Sequence, residues 1–289
     1  MTGVAFPPAQ ACDCHVHVIG PKNRFPLSRE RTYTPPDATL DQLVAMLARL
    51  SLDRVVLVQP SVYGTDNSCL LDALDALSGR ARGVAAVAPD ITGSALDELH
   101  RRGVRGLRVN VASFAGESAD KVRARLAAAA ALCARNGWHV QTFLPAAAIP
   151  PLAATLRELA VPAVIDHFGL VTPQAVDSEA AGQLVRLLGT GRVWVKLSAA
   201  YRIAEDPADP RIGPLARRFA DANPERVVWG SDWPHTPAHG HDFVATDAEQ
   251  PYRHLDTRAL LDLVRSWFED DTDRIAQLLA RNPAELYRF

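Results

Sequence analysis

The stretch CDCHVHV, residues 12–18, places two histidines inside a short apolar run near the start of the chain. Alternate side chains of a β-strand share one face, so Asp13, His15 and His17 are predicted to point the same way. The other face is apolar and suited to contact with helices; it consists of Cys12, Cys14, Val16 and Val18. The pattern therefore predicts a strand that directs two imidazoles into the interior of a sheet.

Seven further short apolar runs follow and alternate with helical patterns such as 39–52, 120–137 and 182–189. These runs are 54–60, 83–89, 106–111, 139–144, 163–168, 193–198 and 226–232. Strands that alternate with helices indicate βαβ units and a parallel sheet. Eight units in 289 residues predict the α/β class, with one (β/α)8 barrel over residues 1–289. An open doubly wound sheet is the alternative, although no GxGxxG follows the first strand.

Composition restricts the partners of the protein. Apolar residues make up 48% of the chain, charged residues 22%, and the net charge is −2. A folded protein is expected, with no electrostatic case for nucleic acid or anionic membrane. The N-terminus lacks a signal-peptide pattern, and no apolar run is long enough to span a bilayer, so a cytoplasmic location is expected.

Two long connections follow the first and last predicted strands, at residues 19–38 and 233–256. Loops that follow strands lie on the catalytic face of a (β/α)8 barrel, so both loops are predicted to border the substrate. The chain closes on a helical pattern at 271–289, in which the Asn-Pro pair is expected to break the helix near Asn282.

Four chemistry-bearing residues fall at the carboxyl ends of predicted strands. His15 and His17 end the first strand, His167 the sixth, and Asp232 the eighth. In a closed barrel these ends converge on one pocket. Imidazole and carboxylate groups are suitable ligands for zinc or a similar ion. Without a metal, the same groups can deprotonate water and polarise a carbonyl. The pattern predicts an active site and leaves both alternatives open.

Several motifs resemble the amidohydrolase superfamily. The HxH strand, DHFG at 166–169 and WGSDWPH at 229–235 are similar to the amidohydrolase 2 type. More narrowly, they resemble the branch of 2-pyrone-4,6-dicarboxylate lactonase and sulfomuconolactone hydrolase. YTP at 33–35, GTDN at 64–67 and GVRGLRVN at 103–110 extend the likeness along the chain. The resemblance implies a (β/α)8 barrel and a hydrolase that opens a carboxylated lactone in aromatic or sugar-acid catabolism.

The resemblance also implies roles for individual residues. Asp232 would be the general base that activates water, and His235 would help to orient the substrate. The remaining histidines would polarise the lactone carbonyl or hold a metal; they are His15, His17 and His167. The carboxylates and ring of the substrate would be bound by Tyr33, Ser61, Arg108 and Arg202. Arginine suits this task because its fork gives a carboxylate two parallel hydrogen bonds.

The chain departs from the branch at three positions. An arginine is expected near Phe114, a tyrosine near Phe143 and an arginine near Leu170. Loss of these polar groups weakens the binding of a second carboxylate. We therefore predict a lactone with one acidic group, or a less charged lactone, in preference to the pyrone dicarboxylate.

The resemblance also bears on the metal requirement and the reaction class, because many members of the superfamily use a lysine on the fourth strand to bridge two metals. The fourth predicted strand has no lysine to bridge two metals, and Lys196 lies on the seventh, so a binuclear site is not expected. No obligatory metal is predicted; the alternative is one zinc or similar divalent ion. A metal-dependent decarboxylase or amide hydrolase is the rival activity. A barrel that binds a ligand without catalysis is the rival class.

Overall fold

Eight parallel strands form a single sheet in the computed structural model, which describes residues 5–111, 117–237 and 248–289. The strands are β1 Cys12–Val16, β2 Arg54–Val58, β3 Ala81–Ala85, β4 Val104–Asn110, β5 His139–Phe143, β6 Ala163–Ile165, β7 Val193–Ser198 and β8 Val227–Gly230. Each strand pairs in parallel with the next along the chain. The predicted (β/α)8 barrel is confirmed.

Helices connect the strands and cover the outside of the sheet. They are α1 Leu40–Leu50, α2 Ser68–Leu77, α3 Gly93–Arg101, α4 Ala119–Ala134, α5 Ile149–Glu158, α6 Glu179–Gly189, α7 Ile212–Ala222, α8 Thr257–Trp267, α9 Thr272–Ala276 and α10 Asn282–Tyr287. Their buried faces join the outer faces of the strands in one hydrophobic cluster, for example Leu43 of α1 with Val55 and Leu57 of β2. Burial of the apolar face of each helix holds that helix against the sheet.

The first and last strands meet where the barrel closes. Val16 bridges Trp233 in parallel, and the Asp232 N–H donates to the His15 carbonyl at 2.8 Å. A β-carbon on Gly230 would lie 2.7 Å from the backbone nitrogen of His15. Only glycine allows so close an approach of the two strands. The Gly-Ser-Asp sequence therefore brings Asp232 beside His15.

Strand β1 does not keep the strict alternation predicted for residues 12–18. The register with β2 shifts between Asp13 and Val16, which is the signature of a β-bulge. Val16 faces the outer helices as expected. Cys12 and Cys14 instead pack inside the barrel, in a separate cluster with inward-facing strand residues such as Val56 and Val164. The prediction that both cysteines face the helices is wrong, because the extra residue of the bulge reverses the alternation before His15.

The two long loops predicted to border the substrate contact each other. Thr34 of the first loop bridges Glu249 of the second, and the Gln250 N–H donates to the Thr34 carbonyl at 2.8 Å. The Tyr252 hydroxyl donates to the Pro36 carbonyl at 2.5 Å. Residues 238–247 of the second loop lie outside the described residues. The described parts of both loops thus meet beyond the strand ends.

The closing helix is continuous through the Asn-Pro pair. A π-helical turn, Gln277–Arg281, joins α9 to α10, and Pro283 occupies the first turn of α10. Proline has no backbone N–H, and in the first turn of a helix this N–H is not needed for an intrahelical hydrogen bond. The π-helical turn lets the chain continue into α10, so the predicted break near Asn282 is wrong. Within the described residues, no helix combines the length and the apolar character needed to cross a membrane.

Candidate active site

Four side chains predicted from the sequence meet at the carboxyl ends of the strands. The Oδ1 atom of Asp232 lies 3.6 Å from Nε2 of His15, 3.4 Å from Nε2 of His17 and 3.9 Å from Nε2 of His167. All four side chains are buried. Neither Asp232 Oδ1 nor His15 Nε2 has a hydrogen-bond partner among the described residues. The cluster therefore surrounds one acceptor oxygen with three ring nitrogens.

The partners of the other ring nitrogens fix the tautomer of His17 and bear on that of His15. Nδ1 of His17 lies 2.7 Å from the Val58 carbonyl, and Nδ1 of His15 lies 3.3 Å from Asp166 Oδ1. The Val58 carbonyl only accepts, so His17 Nδ1 carries the proton in the neutral ring. His15 Nδ1 also lies 3.5 Å from Lys196 Nζ, a donor, so its proton is on Nδ1 only when Asp166 accepts from it. The bare Nε2 lone pairs then face the Asp232 carboxylate. A ring-nitrogen lone pair and the carboxylate are both electron-rich, so they repel each other unless a cation or a proton lies between them.

His167 has a different partner. Its Nδ1 lies 2.9 Å from the Ser198 hydroxyl, which can donate as well as accept. Donation by Ser198 places the ring proton on Nε2, so His167 can then donate a hydrogen bond into the pocket. Burial lowers the pKa of His167 to about 4, and its ring is therefore neutral at pH 7.

The second oxygen of Asp232 is held by two donors from the segment after β7. Tyr201 donates its hydroxyl to Oδ2 at 2.6 Å, and Arg202 donates Nε to the same atom at 2.8 Å. Burial acts to raise the pKa of Asp232, but the Arg202 guanidinium, the largest opposing influence, holds it well below its usual value. Asp232 is therefore ionised at neutral pH, with one oxygen fixed and the other directed at the imidazoles.

Asp232, His167 and His235 all have left-handed backbone conformations. Their φ angles are 62°, 53° and 68°. Residues other than glycine adopt this region at a cost of about 1–3 kcal/mol, and such strain clusters at functional sites. The turn at each strand end uses this conformation to redirect the chain, which explains why β6 ends at Ile165 rather than at residue 168.

A small cavity of about 20 Å³ adjoins this cluster. The residues proposed to bind substrate all contribute to its wall; they are Tyr33, Ser61, Arg108 and Arg202. Asn110, Phe143 and Thr236 complete much of the lining. This volume corresponds to about one water molecule.

Arg108 and Arg202 differ in how the described residues neutralise them. Arg202 pairs with Asp232 and also donates Nη2 to the Thr236 hydroxyl at 2.7 Å. Arg108 donates Nη1 to the Gln59 carbonyl at 2.7 Å, while its buried Nε has no hydrogen-bond partner. No described carboxylate lies within ion-pair distance of Arg108. The described part of the pocket therefore offers one guanidinium, that of Arg108, without a carboxylate at ion-pair distance.

A sequence profile of the amidohydrolase family matches residues 12–289. The protein belongs to the amidohydrolase family. The 4-sulfomuconolactone hydrolase of Hydrogenophaga intermedia is 34% identical over 284 residues, 97% of this chain and 89% of that protein. The 2-pyrone-4,6-dicarboxylate hydrolase of Comamonas testosteroni is 37% identical over 245 residues, 81% of this chain and 80% of that protein.

A solved structure is similar to this chain over nearly its whole length. A probable 2-pyrone-4,6-dicarboxylic acid hydrolase from Acinetobacter baumannii, crystallised with citric acid, matches with a TM-score of 0.80. The sequences are 25% identical, and the match covers 97% of this chain and 100% of the other. The resemblance inferred from sequence motifs is thus confirmed for this amidohydrolase.

Not every predicted site residue of this amidohydrolase faces the small cavity. His235 lines a neighbouring cavity of about 540 Å³ together with Gln42, Arg49 and Arg253. Its Nε2 lies 3.1 Å from the Thr257 hydroxyl. Phe143 lies edge-on to the His167 ring, and Leu170 packs against the hydrophobic core. Phe114 lies outside the described residues.

Sequence reasoning missed several groups that complete the site. Tyr201 and Thr236 fix Asp232 and Arg202, and Ser198 contacts His167. Ser198 ends β7 and therefore stands where strand-end residues converge, which is a usable signal. Tyr201 lies in the Ala200–Arg202 turn, beside the arginine predicted to bind substrate. Because it is not at a strand end, its position in the sequence does not indicate a role.

Proposed function

We propose that the protein hydrolyses a lactone that has one carboxylate, with Asp232 as the general base. The observation that supports this most directly is the Asp232 Oδ1 atom, which is buried, ionised and unpartnered beside a cavity the size of a water molecule. The two relatives named for lactone hydrolysis support the substrate class. A carboxylate placed in this way can accept a proton from water.

The proposed reaction uses Asp232 twice. Its Oδ1 takes a proton from water while the oxygen of that water adds to the lactone carbonyl. His167, with its proton on Nε2, donates to the oxyanion that develops on the carbonyl. The carbon–oxygen bond of the ring then breaks, and Asp232 returns the proton to the alkoxide that leaves. Water is consumed, a hydroxy acid is released and Asp232 is regenerated.

The residues also fit one divalent metal ion. His15, His167 and Asp232 each offer a ligand atom, and these atoms lie within 4.8 Å of one another. A bare imidazole nitrogen and the unpartnered Oδ1 match the nitrogen and oxygen ligands that zinc prefers. His167 would offer a bare Nε2 when the Ser198 hydroxyl accepts from its Nδ1–H. Such an ion would be held by these three residues and His17, and would polarise the lactone carbonyl. The absence of an obligatory metal stays a prediction.

Zinc is expected to bind the protein at about one ion per chain and to stabilise it. At a free concentration 100 times the dissociation constant, binding adds about 2.7 kcal/mol to the free energy of unfolding. Calorimetric titration and thermal unfolding measure both effects. The His17→Gln variant should weaken both, whereas His254→Gln, at an exposed position, serves as the matched control. Equal zinc binding by wild type and His17→Gln would contradict the proposed ligand set.

The substrate charge follows from Arg108. Because Arg202 is already neutralised by Asp232, Arg108 is the cation left for a substrate carboxylate in the described pocket. Phe143 gives the pocket an apolar wall beside it. One cation and an apolar wall favour a substrate with a single acidic group.

Arg108→Met is expected to raise KM for a carboxylated lactone by about 10–100-fold, with little change in kcat. A hydrogen bond to a charged group is worth about 1.5–3 kcal/mol, which corresponds to this range. Steady-state kinetics should show no such rise for a matched lactone that lacks the carboxylate. A similar rise for both substrates would show that Arg108 does not recognise the acidic group.

The proposed function is tested by a panel of lactones, aromatic carboxylates and amides, assayed with and without a chelator. Ring opening of carboxylated lactones is the expected result. Decarboxylation or amide hydrolysis in the absence of lactone turnover would favour the rival activities. A carboxylated ligand that binds without any turnover would favour a non-catalytic barrel.

A further inference from the structure

A fully buried lysine lies directly behind the histidine cluster and has no part in the reaction described above. Lys196, on β7, has no exposed surface. Its Nζ donates to the Cys14 carbonyl at 2.8 Å and to Gln141 Oε1 at 2.7 Å, and lies 3.7 Å from Asp166 Oδ1. Buried lysines are rare and costly, so this one calls for an explanation beyond packing.

Asp166 connects this lysine to the reacting groups. Its Oδ1 lies 3.3 Å from His15 Nδ1, and its Oδ2 accepts a hydrogen bond from Gln141 Nε2 at 3.1 Å. Gln141 therefore bridges the two residues, because its amide oxygen accepts from Lys196 and its amide nitrogen donates to Asp166. His15 lies on β1, Gln141 on β5 and Lys196 on β7, and Asp166 follows the end of β6. Gln141 and Lys196 together hold the Asp166 carboxylate, which contacts Nδ1 of His15.

The orientation of His15 depends on this carboxylate. When Asp166 accepts from Nδ1, the Nε2 lone pair of His15 faces Asp232. Partners that hold the second nitrogen of a functional histidine fix its tautomer and its ring position. A rival arrangement exists, because Lys196 Nζ also lies 3.5 Å from His15 Nδ1. Donation by the lysine to Nδ1 would place the proton on Nε2 instead.

We propose that Lys196 is a positioning residue that, with Gln141, holds Asp166 against His15 and thereby keeps the His15 proton on Nδ1. Among the described residues, Lys196 is the lysine or arginine within ion-pair distance of this buried carboxylate. Its effect on turnover rests on the proposed function, in which His15 belongs to the reacting cluster. Its effect on the His15 tautomer does not depend on any activity.

The first experiment measures the tautomer. Histidine labelled with ¹⁵N is introduced into wild type, Lys196→Met and Lys121→Met, and long-range ¹H–¹⁵N spectra are recorded. The His15 signals are assigned by their loss in His15→Gln. Wild type and Lys121→Met, altered only at an exposed helix position, are expected to show Nδ1–H. Lys196→Met should show a mixture of tautomers. A wild-type Nε2–H signal, or Nδ1–H fully retained in Lys196→Met, would overturn the proposal.

The second experiment measures turnover. Lys196→Met is expected to lower kcat for lactone hydrolysis by roughly 10–100-fold, the usual cost of removing a group behind a functional histidine. KM should change by less than about twofold, because Lys196 does not line the substrate cavity. Circular dichroism confirms that each variant is folded. A change in KM alone, with kcat intact, would contradict a positioning role.

A double-variant cycle tests whether Lys196 acts through Asp166. The Asp166→Asn and Lys196→Met/Asp166→Asn proteins should have the same kcat, because removal of the carboxylate leaves the lysine nothing to position. Multiplied losses in the double variant would show that Lys196 acts by another route. If wild type hydrolyses no lactone, the proposed function fails, and the tautomer measurement still decides the role of Lys196.

Discussion

Asp232→Asn is expected to lower kcat for lactone hydrolysis by about 10²–10⁴-fold, the contribution typical of a positioned base. The amide keeps the shape of the side chain but cannot take a proton from water. Its oxygen can still accept from the Tyr201 hydroxyl, which lies 2.6 Å from Oδ2 in the native side chain. The variant should therefore fold, and the loss should fall on the chemical step rather than on binding.

Asp206→Asn is the matched control, because Asp206 is exposed in the loop after the Ala200–Arg202 turn. Its kcat should equal that of wild type. Steady-state kinetics on the best lactone of the panel gives kcat and KM for all three proteins. Hydrolysis by Asp232→Asn at near the wild-type rate would show that another group is the base.

Arg202→Met is expected to destabilise the protein by about 3–5 kcal/mol, the usual cost of removing one partner from a buried ion pair. The Arg202 side chain is 10% exposed and that of Asp232 is 1% exposed, so little water replaces the lost guanidinium. Arg202→Lys restores the charge without the planar fork and should recover part of the loss. Denaturant unfolding measures the free energy of unfolding of each variant.

Arg211→Met is the control for this measurement. Arg211 forms an ion pair with Asp209, but its side chain is 57% exposed. Exposed pairs contribute little to stability, so its free energy of unfolding should match that of wild type. An equal loss in both variants would show that burial of the Arg202–Asp232 pair is not the cause.

The Arg202→Met effect should also depend on pH. In wild type the pKa of Asp232 is lowered, so the folded chain binds fewer protons than the unfolded chain in this range. The stability this provides is present above the usual carboxyl pKa of about 4 and is lost as pH falls through the lower folded value. Without Arg202 the pKa of Asp232 rises, and its protonation removes an uncompensated charge. The stability difference between the two proteins should therefore narrow between pH 7 and pH 4.

Sequence reasoning located the cluster but not how its members contact one another. His15, His17, His167 and Asp232 were recognised because each stands at the end of an apolar run, and such ends converge in a parallel barrel. Arg202 was expected to bind the substrate, yet its Nε pairs with Asp232. His235 follows Asp232 by three residues and lines a different cavity.

The sequence by itself determined the barrel, because hydrophobic periodicity and the alternation of strands with helices are local properties of the chain. It also indicated that His15, His17, His167 and Asp232 lie at the carboxyl ends of the strands. Tertiary structure alone decided the bulge that turns Cys12 and Cys14 inward, the partners of the ring nitrogens and the burial of Lys196 behind His15. These features depend on strand register and on partners far apart in the chain, such as Val58 for His17 and Cys14 for Lys196. Spacing along the sequence does not record such contacts.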